Sequence, residues 1–246
     1  MNTKTSPVYA FLRNPSLVDF AGHLSAVFFI SGCNFRCGFC HNAGLMGMRT
    51  AGISWARLQE VCRRFSGDWV NAAVITGGEP TLCGELKGLI EFLRGQGWAV
   101  KLDTNGSRPD ALRECIGLLD YVAMDVKAGL SGYAELTGFG EVDKIQKSIA
   151  VIRDYARDYE FRTTVIPAFH TAAQMREIGE MIKGSKRYVI QPFVPRDDLP
   201  DPALRETPRT DPDCLLAFQA MLAGCVEEVK VRGTLGSLGR RPVPAA

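Results

Sequence analysis

What this sequence lacks narrows the reading before any motif is considered. A bilayer-crossing helix needs roughly twenty consecutive apolar residues, and the longest apolar runs here, such as AVFFI at 26–30, fall far short. The stretch MNTKTSPVYAFLRNPSLVDF at 1–20 carries no apolar segment of the kind a signal peptide needs. Charge of one sign is not in excess: 29 Lys and Arg stand against 27 Asp and Glu, so neither nucleic acid nor an anionic membrane is an expected partner. No internal repeat or low-complexity tract is present. A soluble cytoplasmic protein is the expectation.

What is there is length, apolar content and cysteine. At 246 residues and 46% apolar, the chain can bury one large core. Eight cysteines without a secretory leader argue against a disulfide framework, because cytosolic thiols are kept reduced, so a tight cysteine cluster points to metal or catalysis.

Runs rich in β-branched and aromatic residues recur at 25–31, 71–76, 98–104, 120–126, 161–167 and 187–193, and each predicts a buried strand. Between them, segments at 54–65, 84–96, 108–119, 141–158 and 171–183 have helical spacing. Ser54 and Thr171 are suited to cap two of them, and Gly97 and Gly184 to stop two. Repeated βα alternation predicts parallel strands with right-handed crossovers, in an open sheet or a whole or partial barrel. Six units fall short of the eight that close a barrel. One domain over 1–246 is expected: an N-terminal extension at 1–24, a βα core at 26–193, a proline-rich loop at 194–213, a helix and strand at 214–232, and a flexible tail at 233–246.

In such folds the chemistry gathers where strands end. SGCNFRCGFCHN (31–42) follows the first predicted strand, TGGEP (76–80) the second, DTNG (103–106) the third and MDVK (124–127) the fourth, so all four polar clusters share one rim. Cys33, Cys37 and Cys40 offer three thiolates and no fourth. Structural zinc wants a closed set of four, whereas an iron–sulfur cubane held by three cysteines leaves one iron for another ligand. Gly77 and Gly78 permit close backbone approach, and Glu79 can receive an ammonium group. Taken alone, DTNG and MDVK are ordinary charged strand ends, and Cys62, Cys83, Cys115, Cys214 and Cys225 read as core or surface thiols. His23 and His170 read as packing or surface residues.

The spacing C-x3-C-x-Phe39-C resembles the signature of the radical S-adenosylmethionine (radical SAM) superfamily. The resemblance implies an α/β fold, a partial (β/α)6 TIM-like barrel with parallel strands. It implies a [4Fe–4S] cluster on Cys33, Cys37 and Cys40 whose fourth iron is chelated by S-adenosylmethionine. Electron transfer into the sulfonium then yields a 5′-deoxyadenosyl radical able to take hydrogen from an unactivated C–H bond, which is chemistry belonging to the cofactor. Gly77, Gly78 and Glu79 resemble the stretch that meets the cofactor's amino group, and Phe39 and His41 would lie against its adenine.

The pairing of DTNG with Asp125 and Lys127 resembles the glycyl-radical-enzyme activating enzymes, typified by pyruvate formate-lyase activating enzyme. That resemblance places Lys127 at the cofactor's carboxylate, counts Asp103, Thr104, Asn105 and Asp125 among the cofactor contacts, and allows a monovalent cation at Asp103, Thr104 and Asp125, an oxygen set that suits a hard ion. Arg162 would be a further anion contact. A histidine that those enzymes carry shortly after the sixth strand is Val194 here, with Gln191 a candidate replacement. NPSLVDFAGHLSAVFFISGCNFRCGFCHN (14–42) is most similar to activating proteins of anaerobic ribonucleoside-triphosphate reductase, and the likeness runs to about residue 232. No ferredoxin-like insert follows Cys40, so one cluster is expected. The implied partners are a glycyl radical enzyme as protein substrate and a flavodoxin or ferredoxin-type reductant. Two other readings stand beside it: a radical SAM enzyme acting on a small molecule or peptide, like 7-carboxy-7-deazaguanine synthase, and a zinc or iron–sulfur module without catalysis.

Overall fold

The computed structural model describes residues 5–47, 51–67 and 69–233. Among these residues, eight strands form one sheet in chain order. They are β1 (Ala10–Phe11), β2 (Ser25–Ile30), β3 (Ala72–Gly77), β4 (Ala99–Thr104), β5 (Tyr121–Asp125), β6 (Tyr159–Val165), β7 (Arg187–Pro192) and β8 (Glu228–Val231). From β2 to β8 every neighbouring pair is parallel, while β1 runs antiparallel to β2. Among the described residues the two outermost strands, β1 and β8, do not pair with each other, so the barrel is partial and open. The α/β partial barrel expected from the sequence is therefore present, with β2–β7 as its six βα strands. The stretch EEVKVRG supplies β8, and β1 is an addition that two residues of unremarkable composition could not announce.

The crossover helices are α1 (Trp55–Gly67), α2 (Leu86–Arg94), α3 (Pro109–Cys115), α5 (Val142–Tyr155) and α6 (Ala172–Met181), with a short α4 (Tyr133–Thr137) ahead of α5. Ser54 Oγ accepts the Arg57 amide and Thr171 accepts the Gln174 amide, as their positions predict for N-caps. Gly97 and Gly184 take left-handed φ values of +80° and +75°, which lets the chain reverse into β4 and towards β7. Helix α2 shows the packing logic: Leu86, Leu89, Ile90 and Leu93 share one face and are buried, each contributing on the order of 1.5–3 kcal/mol. None of the described helices is long and apolar enough to cross a membrane.

The proline-rich stretch departs from the expected loop. It holds a helical turn, α7 (Pro202–Arg205), and α8 (Pro212–Leu222) begins two residues ahead of the predicted helix. In both, an aspartate precedes the proline and caps it: Asp201 accepts the Ala203 amide and Asp211 the Asp213 amide. Proline at the first helical position loses no hydrogen bond there, so it starts a helix as readily as it breaks one. The tail at 233–246 lies, apart from Gly233, outside the described residues.

Alternation along each strand separates two environments. Val100 and Leu102 of β4, Val122 and Met124 of β5, and Tyr159 and Phe161 of β6 point into the large core under the helices. Val27, Phe29 and Val74 form a smaller apolar cluster on the inner face. Further round that inner face the side chains are charged: Lys101, Asp103, Glu160 and Arg162 are all buried. The barrel interior is thus apolar at β2–β3 and ionic at β4–β6.

Candidate active site

The loop after β2 is tied down on three sides. Gly32 takes φ +90°, its amide donates to Leu45 O, and its carbonyl accepts the Glu79 amide at 2.8 Å. The Arg36 amide donates to Thr137 O at 2.7 Å, joining the loop to α4, and the Phe35 ring packs against Phe139 and Tyr133 at 5.0 and 6.1 Å. From the proline-rich side, the Asp201 amide donates to Gly38 O, and Gly38 abuts the Asp201 side chain so closely that a Cβ would not fit. Nothing in the spacing of the cysteines signals this last brace.

Held this way, Cys33, Cys37 and Cys40 line one cleft of about 700 Å³, including its open mouth, together with Phe39, Gly77, Gly78, Asp103, Thr104, Asn105, Asp125, Lys127 and Arg162. Burial pushes the Cys37 thiol up to about 12, against the lowering influence of Lys127. Cys33 and Cys40 are raised for the same reason, opposed mainly by the amides of Phe35 and Asn42. The other five cysteines stand apart: Cys62, Cys83 and Cys115 lie in the main core, Cys214 and Cys225 pack at its margin, and all eight are free thiols.

The glycine pair works between loops. A Cβ on Gly77 would drive into Ile30 O and one on Gly78 into Gly32 O, so the β3 end can lie backbone to backbone against the cysteine loop only with glycine there. Glu79 is fully buried and turned into the protein. Its Oε1 accepts from the Thr81 amide, the Thr81 hydroxyl and, at 2.7 Å, the Thr104 hydroxyl, and its Oε2 accepts the Asn105 amide at 2.6 Å. Burial raises its pKa, opposed by these hydrogen bonds. Its carboxylate laces the β3 and β4 ends together, and the cleft is lined by its neighbours Gly77 and Gly78. Asn105 then reaches across to the cysteine loop, with Nδ2 3.1 Å from Asn34 Oδ1 and 3.8 Å from Cys33 Sγ.

Beside the cysteine loop, Lys127 Nζ lies 2.8 Å from Asp125 Oδ2 and 5.6 Å from the centre of the Phe39 ring. Burial opposes both charges, but the Arg162 guanidinium and the Lys127 ammonium outweigh it at Asp125, whose carboxyl is held well below the usual range. Asp125 in turn keeps Lys127 charged. His41 Nε2 sits 3.1 Å from the carbonyl of Val194, so the position lacking the expected histidine is joined to the cysteine loop through its backbone. Gln191 donates to Thr164 at 2.8 Å. His170, read from the sequence as a packing residue, is buried with Nδ1 accepting the Ile166 amide and Nε2 at 2.9 Å from Lys127 O. It is a neighbour of the site that no motif marked.

The sequence of residues 27–182 matches the model of the radical SAM superfamily, which spans the cysteine loop and β2 to α6. The chain belongs to the radical SAM superfamily. It is 34% identical over 192 residues to a candidate glycyl-radical enzyme activating enzyme of Methanocaldococcus jannaschii, covering 74% of this chain and 78% of that one. It is 33% identical over 100 residues to 7-carboxy-7-deazaguanine synthase of Aquifex aeolicus, 41% of this chain and 43% of that one. In fold it matches SuiB of Streptococcus suis bound to the precursor peptide SuiA, with TM-score 0.68 and 15% identity over 91% of this chain. The chain spans half the length of SuiB, and that likeness speaks to fold alone.

A radical SAM protein uses a [4Fe–4S] cluster and S-adenosylmethionine, and the donor chemistry of the cleft fits them. Three thiols face one space, a side-chain-free glycine edge borders it, and a lysine held charged lines it beside Phe39.

Proposed function

We propose that this protein is a glycyl-radical activase, with Cys33, Cys37 and Cys40 as cluster ligands and a partner glycyl radical enzyme, foremost an anaerobic ribonucleotide reductase, as substrate. The observation that carries this reading is the extent of the likeness to the M. jannaschii protein, which runs over 74% of the chain, where the likeness to the deazaguanine synthase covers 41%.

The residues of the chain divide the work. The three thiolates hold the cluster, and Asn105 steadies Cys33 through its amide. The Gly77–Gly78 edge admits the methionine part of the cofactor against bare backbone, and Lys127, kept ionised by Asp125, meets its carboxylate. Phe39 and the aromatic packing behind the cysteine loop keep water from the cluster side. When bound, the cluster and S-adenosylmethionine would supply one-electron cleavage of a C–S bond, the electron coming from a flavodoxin or ferredoxin-type reductant. In that chemistry the partner glycine would give up its α-hydrogen atom, which ends in 5′-deoxyadenosine, and would keep one electron on Cα. An open barrel suits that substrate, because a loop of another protein has to bring its glycine into near contact.

The deciding experiment mixes the anaerobically reconstituted protein, S-adenosylmethionine and a reductant with candidate reductases and lyases, and looks for a glycyl radical by paramagnetic resonance. A radical on the partner with matching 5′-deoxyadenosine supports the reading. Cofactor cleavage that leaves every offered partner radical-free refutes it.

A further inference from the structure

The carboxylates that the resemblance assigns to a monovalent cation already have a cation between them. Arg162 Nε donates to Asp125 Oδ1 at 2.7 Å, and Arg162 Nη1 lies 3.4 Å from Asp103 Oδ1. Lys101 Nζ is 3.2 Å from the same Asp103 oxygen, and Lys127 Nζ takes the other Asp125 oxygen at 2.8 Å. The side chains of Lys101, Asp103 and Arg162 are 5, 7 and 6% exposed, so water does little to screen these charges. This placement follows from register: Asp125 on β5 and Arg162 on β6 are paired residues of adjacent strands, and Lys101 and Asp103 point inward from β4.

The third expected ion ligand is committed elsewhere. Thr104 Oγ1 donates to Glu79 at 2.7 Å and accepts the Gly106 amide at 3.1 Å. Two carboxylates therefore face three fixed cations, Lys101, Lys127 and Arg162. A sodium or potassium ion brought to these oxygens would meet like charge in a poorly screened interior, with a guanidinium in its way. The residues do not fit a bound monovalent ion.

We propose that Arg162 is a built-in counter-cation that takes the ion's place, so that cofactor binding by this protein needs no monovalent metal. A guanidinium suits this seat because it is permanently charged and its planar fork can address two carboxylates at once. From there Arg162 fixes Asp125, and Asp125 fixes Lys127 in the lining of the cleft, which makes Arg162 a positioning residue for the cofactor site. On its other side Glu160, two residues back along β6, is paired with Arg232 at 3.0 Å and also attracts Arg162, which adds to the charge holding the guanidinium in place. The inference rests on membership of the superfamily and not on the activase reading, since it is read out in cofactor binding whatever the substrate.

The test measures S-adenosylmethionine affinity of the anaerobically reconstituted full chain by calorimetry, with the paramagnetic spectrum of the reduced, cofactor-bound cluster alongside. Buffers of equal ionic strength carry choline, sodium or potassium as the cation. The wild-type affinity is expected to agree within about twofold across the three buffers, with one unchanged spectrum. Arg162→Met is expected to bind about tenfold more weakly in choline, and Arg162→Lys, which keeps the charge without the fork, to lose less. Wild-type affinity that falls about tenfold in choline and returns on titration of potassium or sodium overturns the proposal, as does an Arg162→Met protein that binds as tightly as wild type in choline. Should the methionine variant fail to fold, the wild-type ion series decides alone.

Discussion

The Nε2 atom of His170 lies 2.9 Å from the carbonyl oxygen of Lys127, and the opposite ring nitrogen accepts the Ile166 amide at 2.9 Å. Because Nδ1 is an acceptor, the ring is neutral and Nε2 carries the proton. The imidazole thus joins the turn after β6, where Ala168 holds a left-handed φ of 67°, to the strand end that presents Lys127. Burial lowers the pKa of His170 below the ordinary 6.5. Its contribution to stability is complete above that value and is lost as pH falls below it, since the unfolded chain then binds the proton more readily. His170→Ala is expected to weaken S-adenosylmethionine binding about tenfold with iron content unchanged, and to flatten the acid limb of thermal stability. An unaltered acid limb would remove His170 from this role.

Gly78 and Gly88 make a matched pair for the backbone claim. An alanine methyl at 78 meets the Gly32 carbonyl, which neither loop can move without disturbing the cysteines, whereas at 88, on the exposed side of α2, it meets nothing within 4 Å. Gly78→Ala is expected to destabilise the protein by about 1–3 kcal/mol and to lower iron uptake. Gly88→Ala should stabilise by about 0.5–1 kcal/mol by restoring helix propensity. Thermal unfolding of both variants checks the pair, and a harmless Gly78→Ala contradicts the close approach.

Glu79 gathers four donors on one carboxylate. Glutamine keeps the shape but puts an amide where an acceptor is needed, leaving a buried N–H facing another. Glu79→Gln is expected to cost about 1–3 kcal/mol and to loosen Asn105 from the cysteine loop, visible as faster amide exchange at Asn105. A variant as stable as wild type would mean that Glu79 meets the cofactor and not its neighbours.

The cysteines and Lys127 should fail differently. Alanine at Cys33, Cys37 or Cys40 is expected to abolish the brown absorption of the reconstituted cluster and cofactor cleavage with it. Lys127→Met should keep the iron and lose about tenfold in cofactor affinity. Equal loss of iron in the lysine variant would tie Lys127 to the cluster instead.

Much of this protein was written locally. The cysteine spacing, the glycines beside it and the β-branched runs are contiguous stretches whose chemistry does not depend on distant partners, and β2–β7 with their crossover helices lie close to where periodicity puts them. Rim placement of TGGEP, DTNG and MDVK followed from the rule that loops at the C-terminal strand ends meet. The strand β1 and the turn α7 escaped notice because each is too short to have a period.

The partners of the charges were a tertiary decision. Asp103, Asp125 and Arg162 are separated by 22 and 37 positions in the chain, and only the register of three parallel strands sets the guanidinium between the carboxylates. A slip of one residue would turn Arg162 into the helix-side core and leave those oxygens open to an ion. Composition says that these side chains exist, and the twist and pairing of the sheet say which of them neutralise each other.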